Sequence, residues 1–559
     1  MSLPRGSRQR TLFDTPLVLE DMFEETNRYR LFHEKVMPVM WGMREELAKL
    51  YCDDNGRAAI EPVMMGAVTV LQYMENKPDR QAAEAVRLHL GWKYALGLPL
   101  DYGGFHATSL VVFRERLLAA EKGPLVFDGV LETLRAAGLV KRRNKQRLDS
   151  THIVGNVARM GRLEMVRETL RLAVELAEKG GVRPPSMAEL VERYCEADVD
   201  WRCQDKEKLG AKMQQAGEDG VALLRWLEAQ PGLCSHKTTA LLKRVLEEQF
   251  ETEGGSVTRK EKEESGVVKN PHDPDAQWAA KDKNKEKQWV GFKVQVAETV
   301  AETPAAKKKG EPTTNFITDI TTTEAIASDK DGMKRSLDAQ EGRGLEHPSE
   351  HFVDGAYVCG ETMAKAIESG GELVGPMQAA PQRSQGIYST EAFDVDIEHR
   401  TAVCPAGKLS TEFGKINDGH QGTTYYRIQW GHQCDTCELQ QRCTSSGDKR
   451  RVLCVSLRHD LVQARRREML TPVFKKRMKQ RNAMEGTISE LARNGMRRTR
   501  YRGLAKTNLA NLFHGAACNI RRWLRLIAWT IDQSGGGGQR AAAQKRGFFS
   551  GMPAAAALA

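Results

Sequence analysis

The stretch from Lys145 to Val154, KQRLDSTHIV, predicts a short strand with an aspartate at its centre. Asp is depleted in strands because its side chain bonds its own backbone, so Asp149 at this position is a candidate functional residue. The alternative is that Asp149, followed by Ser150 and Thr151, caps a helix. We expect this stretch to be the first strand of the core.

Further strands and helices follow this strand along the chain. Strands are predicted at 289–296, where apolar and polar residues alternate, and at 315–322, 351–354 and 373–375. Helices are predicted at 328–340 and 361–369. Their order predicts an α/β fold with a mixed sheet, interrupted by two large insertions. Asp354 ends one of these strands. The alternative is that Asp354-Gly355 forms a hairpin turn.

A third carboxylate, Glu485, lies in a helix predicted from Leu457 to Asn494. The apolar stripe of this helix advances in steps of three or four residues through Phe474, Met478, Arg481, Glu485, Ile488 and Ala492. We therefore expect Arg481 and Glu485 on or beside the face that meets the sheet. The alternative is a solvated Glu on a basic helix.

Three carboxylates that converge on one point repel one another unless a divalent cation compensates them. Mg²⁺ or Mn²⁺, which prefer hard oxygen ligands, are the expected ions. Two such ions about 4 Å apart can activate a water or a 3′-hydroxyl and stabilise the leaving oxygen of a phosphodiester. Asp149, Asp354 and Glu485 thus predict a phosphoryl-transfer site.

The positive charge of the chain is concentrated near this helix. The 559 residues have 84 Lys and Arg against 74 Asp and Glu, a formal net charge of +10. Residues 475–525 alone hold fourteen Lys and Arg against Glu485 and Glu490. Such a block favours a polyanionic partner, and the alternative is a solvated helix face. No apolar run approaches the ~18 residues of a membrane span, and residues 1–6 do not resemble a secretory signal, so we expect a soluble intracellular protein.

Eleven cysteines, an odd number, indicate reduced thiols rather than a disulfide framework. Cys404, Cys434, Cys437 and Cys443 include one CxxC pair within a β-prone segment, a spacing that suits structural Zn²⁺. An iron–sulfur cluster needs the same ligands, and unligated thiols are the remaining alternative. Cys454 is a possible substitute ligand.

Ordered sequence fragments extend these observations over most of the chain. They are 79–84 (DRQAAE), 113–117 (FRERL), 148–151 (LDST), 272–276 (HDPDA), 287–293 (KQWVGFK), 317–323 (ITDITTT), 353–357 (VDGAY) and 481–485 (RNAME). With these fragments the chain resembles the DDE transposases of bacterial insertion sequences, which have an RNase H-like core, and within them the eleven-eighty-two group. The similarity extends to about residue 530.

The resemblance implies that Asp149, Asp354 and Glu485 are the catalytic triad and bind two metal ions. Related families have a Tyr, Arg, Glu, Lys signature on the Glu helix. Arg481 and Glu485 match it, whereas Met478 and Ala492 replace the Tyr and the Lys. Arg493, next to the Lys position, is the candidate for the missing phosphate contact.

The resemblance also implies a division of the chain into seven segments. They are a helical DNA-end-binding domain (1–140), the first core strand (141–156), a helical insertion (157–265), the RNase H-like core (266–377), a β-rich insertion with the Cys cluster (378–454), the Glu helix with basic C-terminal helices (455–533), and a disordered tail (534–559).

The expected function is therefore that of a DNA transposase. It would bind the terminal inverted repeats of its element, cleave the DNA and join the 3′ ends to target DNA, as a homodimer in the bacterial cytoplasm at the nucleoid. The residues expected to contact DNA are Arg481, Arg493, Arg497, Arg498, Arg500, Arg502 and Lys506. Two alternatives stay open: a metal-dependent nuclease of the same fold that does not join strands, and a non-catalytic DNA-binding protein organised by zinc.

Overall fold

A computed structural model describes residue 3 and residues 14–52, 58–181, 183–196, 205–254, 256–281, 284, 286–301, 311–312, 314–378, 386–418 and 423–535. The first part of the chain is helical, as predicted. Its helices are α1 (Thr15–Val18), α2 (Arg28–Leu31), α3 (Met37–Gly42), α4 (Arg44–Ala48), α5 (Pro62–Met74), α6 (Asp79–Leu88), α7 (Leu90–Leu96), α8 (Thr108–Ala119) and α9 (Leu125–Ala136). They pack around fully buried rings such as those of Trp92, Phe113 and Phe127.

The predicted first strand is confirmed as β1 (Lys145–Val154), so Asp149 does not cap a helix. A mainly helical segment follows, with α10 (Arg162–Lys179), α11 (Met187–Val191), α12 (Lys206–Glu228), α13 (Lys237–Gln249) and the hairpin β2 (Phe250–Glu253) and β3 (Ser256–Arg259). The segment has its own apolar core, to which Leu170, Leu227 and Leu242 contribute.

The chain then builds the rest of the main sheet. Its elements are β4 (Gln277–Ala280), β5 (Gln288–Val300), β6 (Ile317–Glu324), α14 (Asp329–Gly342), β7 (Glu350–Phe352), α15 (Gly360–Glu368) and β8 (Glu372–Val374). The hairpin, both helices and both short strands agree with the predicted order. Ser328 caps α14 by accepting a hydrogen bond from the Asp331 N–H.

The six-stranded sheet is mixed. β1 pairs antiparallel with β5 on one side and parallel with β7 on the other, and β8 continues the parallel part. The long β5 pairs on its far side first with β4 and then with β6. This confirms the predicted mixed α/β class, and it places the central residue Asp149 opposite Val296 of β5.

The remaining elements are smaller strands and the C-terminal helices. They are β9 (Asp394–Asp396), β10 (Thr401–Val403), β11 (Glu412–Asp418), β12 (Thr423–Gln429), α16 (Gln440–Cys443), β13 (Val452–Ser456), α17 (His459–Met469), α18 (Pro472–Met478), α19 (Ala483–Leu491) and α20 (Leu504–Gly535). The strands β11, β12 and β13 form one antiparallel sheet. The tail predicted after residue 534 lies outside the described residues from 536 onward.

The prediction of one helix from Leu457 to Asn494 is wrong. Thr471-Pro472 separates α17 from α18, because a residue before proline disfavours helical backbone, and Thr471 instead caps α18. A 3-10 turn, Lys479–Asn482, then separates α18 from α19. A π-helical turn, Ala492–Met496, follows α19 and contains Gly495, whose φ of 101° favours glycine and whose Cα faces the Asn76 side chain.

The last helix joins the two halves of the molecule. α20 packs against α5 and α9 on one side and against β6 on the other. Phe292, Val294 and Val296 of β5 therefore share one apolar core with the N-terminal helices. None of the helices within the described ranges has both the length and the apolar character needed to cross a bilayer.

Candidate active site and basic segment

Asp149 lies in the middle of β1 on the face that α19 covers. Its side chain is 15% exposed, and one of its oxygens accepts a hydrogen bond of 2.8 Å from the Ser150 N–H. Burial raises the pKa of this carboxyl, while the positive charge of Arg481 and the Ser150 N–H oppose the rise and the charge of Asp354 adds to it. Asp149 is thus a partly desolvated acid with a cation beside it.

Asp354 lies two residues beyond the end of β7, the parallel neighbour of β1. It begins a turn in which its side chain accepts a 2.8 Å hydrogen bond from the Ala356 N–H, so the predicted strand and its turn alternative each describe part of the local structure. The Nη2 atom of Arg481 lies 2.9 Å from Asp149 Oδ2 and 3.7 Å from Asp354 Oδ2. One guanidinium therefore brings the two aspartates together.

Glu485 does not join this pair. Met484, Thr487 and Leu491 form the buried face of α19, whereas Glu485 is exposed. The predicted stripe is wrong here because the 3-10 turn at Lys479–Asn482 rotates about 120° per residue, more than the roughly 100° of an α-helix, and so shifts the phase. Within the part of the chain that the structure describes, no three His, Cys, Asp or Glu side chains stand close enough to share a metal ion.

The donor chemistry of the aspartate pair nevertheless fits a hard cation. Two carboxylates face one point, and the guanidinium of Arg481 supplies there the positive charge that such a pair needs. Mg²⁺ or Mn²⁺ prefer these oxygen ligands. Asp149 and Asp354 could thus hold a divalent ion, with Glu485 one helical turn beyond Arg481.

A buried ion network that the sequence analysis missed fixes α19 to the sheet. Glu298 of β5 is fully buried and accepts hydrogen bonds from Arg147 Nε at 2.5 Å, Arg522 Nη1 at 2.8 Å and Thr487 Oγ1 at 2.7 Å. Arg522 of α20 also binds Glu490 of α19 at 3.0 Å. The available signal was a charged residue, Glu298, directly after the apolar Val296 and Ala297 of a predicted strand region. The network locks the register between β1, β5, α19 and α20.

The basic segment, residues 475–525, contains cations with structural partners and cations that face solvent. Arg497 donates to Thr151 Oγ1 at 2.9 Å, and Arg500 donates to the carbonyl oxygens of Lys77 at 2.9 Å and Asn76 at 3.1 Å. Lys506 lies 3.6 Å from Glu115. The exposed cations in this segment include Arg493, Arg498 and Arg502.

The same segment extends the core. The backbone of Arg497 to Thr499 pairs with Val154 at the end of β1, through N–H···O bonds of 3.0 Å in both directions. Arg493 makes a weak 3.4 Å contact with the Ser489 carbonyl oxygen. The basic segment therefore starts beside the aspartate pair and continues across the surface toward the N-terminal helices.

Two cations of the N-terminal helices have structural partners. Arg114 lies 2.5 Å from Asp79 and its guanidinium lies 5.3 Å from the Tyr501 ring centroid. Lys93 is buried and donates to the Tyr102 carbonyl oxygen at 3.1 Å. Lys93 and Arg114 thus stabilise the bundle and its contact with the basic segment.

The four predicted cysteines line one small pocket of the β-rich segment. Cys404, Cys434, Cys437 and Cys443 surround it together with Trp430. Burial raises the pKa of the Cys443 thiol, and the other three cysteines raise it further. The positive charge of Arg451 opposes this rise. Each of the first two cysteines begins a tight turn, as shown by hydrogen bonds from Gly407 N to Cys404 O and from Cys437 N to Cys434 O. Cys454 is exposed on β13.

Two family models match the chain. One, described as Transposase domain (DUF772), matches residues 17–116, and the other, described as Transposase DDE domain, matches residues 403–524. The second match includes Arg481 and Glu485, and both models are described as transposase domains. More particularly, the two matches together indicate an insertion-sequence DDE transposase, and that family implies metal-dependent cleavage and transfer of DNA. No curated protein and no solved structure matches the chain.

Proposed function

We propose that this chain binds the terminal inverted repeats of its own element, cleaves the DNA there and joins the freed 3′ ends to target DNA. We further propose an RNase H-like core and membership of the eleven-eighty-two group. The observation that carries the proposal is the aspartate pair, with Asp149 on β1 and Asp354 after the parallel strand β7, both next to Arg481. The parallel register pairs Arg147 of β1 with Phe352 of β7, so Asp149 and Asp354 lie at corresponding positions, as a shared acidic site needs.

In this proposal Asp149, Asp354 and Glu485 hold two Mg²⁺ or Mn²⁺ ions, which requires Glu485, exposed on α19 and apart from the aspartate pair here, to approach that pair. Bound there, the ions supply activation of the attacking water or 3′-hydroxyl and stabilisation of the leaving oxygen. The chain's own part is to present the carboxylates on a rigid sheet and to keep α19 in place through the Glu298 network. Arg481 is positioned to contact the phosphate whose negative charge enters the site.

The proposed DNA contacts follow the basic segment. Arg481, Arg493, Arg497, Arg498, Arg500, Arg502 and Lys506 extend from the aspartate pair toward the N-terminal helices. Phosphate contacts position the DNA, whereas sequence is read by other contacts, which we assign to the N-terminal helices. We propose a homodimer that holds both ends of the element, at the bacterial nucleoid.

The Cys pocket is proposed to bind structural Zn²⁺ through Cys404, Cys434, Cys437 and Cys443. Four thiolates suit tetrahedral zinc, and the four residues line one pocket. In the described part of the chain they stand too far apart to share an ion, so zinc binding would have to draw them together. The apolar core of this segment is small, so metal binding would supply part of its folding free energy.

The decisive experiment compares carboxylate variants on a DNA end in Mg²⁺. Asp149→Asn, Asp354→Asn and Glu485→Gln should each eliminate cleavage and joining while DNA binding persists. Asp338→Asn, an exposed carboxylate on α14, is the matched control and should keep full activity. Retained cleavage in any of the three variants removes that residue from the triad. Cleavage without joined product in the wild-type chain would instead favour the nuclease.

A further inference from the structure

Tyr357 ends the fragment 353–357 (VDGAY), three residues after Asp354. The residues from Asp354 to Tyr357 form one tight turn, in which the Tyr357 N–H donates to the Asp354 carbonyl oxygen at 3.3 Å. The Tyr357 carbonyl oxygen in turn accepts a 2.9 Å hydrogen bond from Thr362 Oγ1 of α15. Tyr357 itself is fully buried. The turn that carries Asp354 is thus anchored at its far end by a buried tyrosine.

The Tyr357 hydroxyl reaches across to β5. It donates to Gln295 Oε1 at 2.7 Å, and Gln295 is also fully buried. Gly332 of α14 packs so closely on the Gln295 amide that an added Cβ at Gly332 would collide with it. The acceptor is therefore held in place by its neighbours. The hydroxyl of a buried tyrosine needs such a partner, and here the partner ties Tyr357 to a defined point of the sheet.

That point of the sheet also holds Asp149. Gln295 lies directly opposite Ser150 in the antiparallel pairing of β1 with β5, so their side chains share one face of the sheet. Ser150 follows Asp149, and its N–H donates to the Asp149 carboxylate at 2.8 Å. Asp149 is thus tied to this point through Ser150. Asp354 is tied to the same point through the Tyr357 hydroxyl.

The charges around the hydroxyl agree with this placement. Burial raises the pKa of Tyr357, and the negative charge of Asp329 raises it further. Asp149 and Asp354 add to the rise, whereas a hydrogen bond with Ser150 opposes it. Both aspartates of the candidate site therefore lie within electrostatic reach of this hydroxyl, which stays protonated and remains a hydrogen-bond donor.

We propose that Tyr357 is a positioning residue, whose hydroxyl fixes the Asp354 turn to the sheet and so sets the separation between the Asp149 and Asp354 carboxylates. The inference rests on the proposed function, because it assumes that the aspartate pair binds a divalent ion. Groups that orient metal ligands without touching the metal help to determine its affinity, because a misplaced ligand must first be brought into position. Tyr357, being buried, contacts neither the ion nor DNA in this proposal.

The test compares Tyr357→Phe, which removes only the hydroxyl, with the wild-type chain by isothermal titration with Mn²⁺ in the absence of DNA. Tyr357→Phe should weaken Mn²⁺ binding about tenfold. Binding of a fully paired duplex without metal should stay within about twofold of wild type, because exposed cations make the phosphate contacts. Tyr194→Phe is the matched control. The buried Tyr194 donates to Asp219 Oδ2 at 2.6 Å in the helical segment, and its loss should leave Mn²⁺ affinity unchanged.

A second variant tests the same hydrogen bond from its acceptor, and it also serves if Tyr357→Phe does not fold. Gln295→Met removes the acceptor and should weaken Mn²⁺ binding by a similar factor. The double variant should bind Mn²⁺ no more weakly than either single variant, since both changes remove one bond. Losses that add would show that the hydroxyl does not act through Gln295, and would overturn the inference.

The outcomes separate this inference from the proposed function. Unchanged Mn²⁺ affinity in Tyr357→Phe, or an equal loss in Tyr194→Phe, overturns the positioning role and leaves the metal site standing. Slower cleavage by Tyr357→Phe with wild-type Mn²⁺ affinity also contradicts that role. A wild-type chain that binds no Mn²⁺ overturns both the inference and the proposed metal chemistry.

Discussion

Arg481 donates to Asp149 across a distance of 2.9 Å, although 332 positions separate the two residues in the chain. The same guanidinium reaches Asp354 at 3.7 Å, so one cation neutralises a pair of acids contributed by neighbouring parallel strands. A positive charge is therefore already present where the proposed metal ions would bind. This arrangement predicts competition between the arginine and a divalent ion.

Arg481→Gln should strengthen Mn²⁺ binding at least about fivefold in the absence of DNA, because two unit charges about 4 Å apart interact by about 1 kcal/mol even in water-like surroundings and Mn²⁺ carries two. Isothermal titration with Mn²⁺ measures this. Arg481→Lys keeps the charge and should stay near the wild-type affinity. Equal affinities in all three proteins would show that Arg481 does not compete with the metal.

The Glu298 network should be the most sensitive part of the fold. Arg522→Leu removes a nearly buried cation from the fully buried Glu298, and breaking such a pair costs about 3–5 kcal/mol in the free energy of unfolding. Arg525→Leu is the matched change on the same helix, since Arg525 is 63% exposed and 3.8 Å from Glu490. It should cost less than about 1 kcal/mol. Urea denaturation followed by circular dichroism compares the two, and similar losses would contradict the assigned role.

The basic segment should contain arginines that only contact DNA and arginines that also stabilise the fold. Replacing Arg498 and Arg502, both exposed, by Gln should weaken binding to DNA of any sequence and reduce the slope of log K against log salt by about 0.9 for each lost phosphate contact. Arg500→Gln should in addition lower thermal stability, because Arg500 also binds the Asn76 and Lys77 carbonyl oxygens. Salt titrations and melting curves of the same variants distinguish these effects. An unchanged salt slope in the Arg498, Arg502 double variant would remove both residues from the DNA surface.

The Cys pocket should contain metal in the purified protein. Elemental analysis of the wild-type chain should find about one Zn²⁺ per chain, the number that four thiolates hold. Cys437→Ser should lose most of it, whereas Cys454→Ser, at an exposed residue of β13, should retain it. Iron in place of zinc would indicate a cluster. A wild-type protein without either metal would leave the four residues as ordinary thiols.

Much of the fold follows from local sequence patterns. The hairpin of β5 and β6 and the order of the later strands and helices could be predicted, because they depend on the spacing of apolar residues and on turn residues. Both are local features of the sequence. These features needed no knowledge of long-range packing. The proximity of Asp149 and Asp354 was expected only from the resemblance, because it depends on the pairing of β1 with β7, which lie far apart in the chain.

The remaining features depend on geometry that local patterns do not carry. The stripe through Glu485 assumed a constant 100° per residue, and the 3-10 turn at Lys479–Asn482 breaks that count. The bond between Glu298 and Arg522 joins residues 224 positions apart, and neither side chain has a local signal for the other. The role of Lys93 as a buried donor likewise depends on a neighbouring loop closing over it.

The placement of α20 has a consequence for how the protein is made. Gly515 sits so tightly between Phe127 of α9 and Ile320 of β6 that an added Cβ would come within 3.0 Å of both. This close packing forms late, because the ribosome synthesises the N-terminal helices several hundred residues before α20, the helix that covers them. Until then their apolar face is open to chaperones and to aggregation. Residues 1–140 expressed as an isolated fragment would keep that exposed surface permanently.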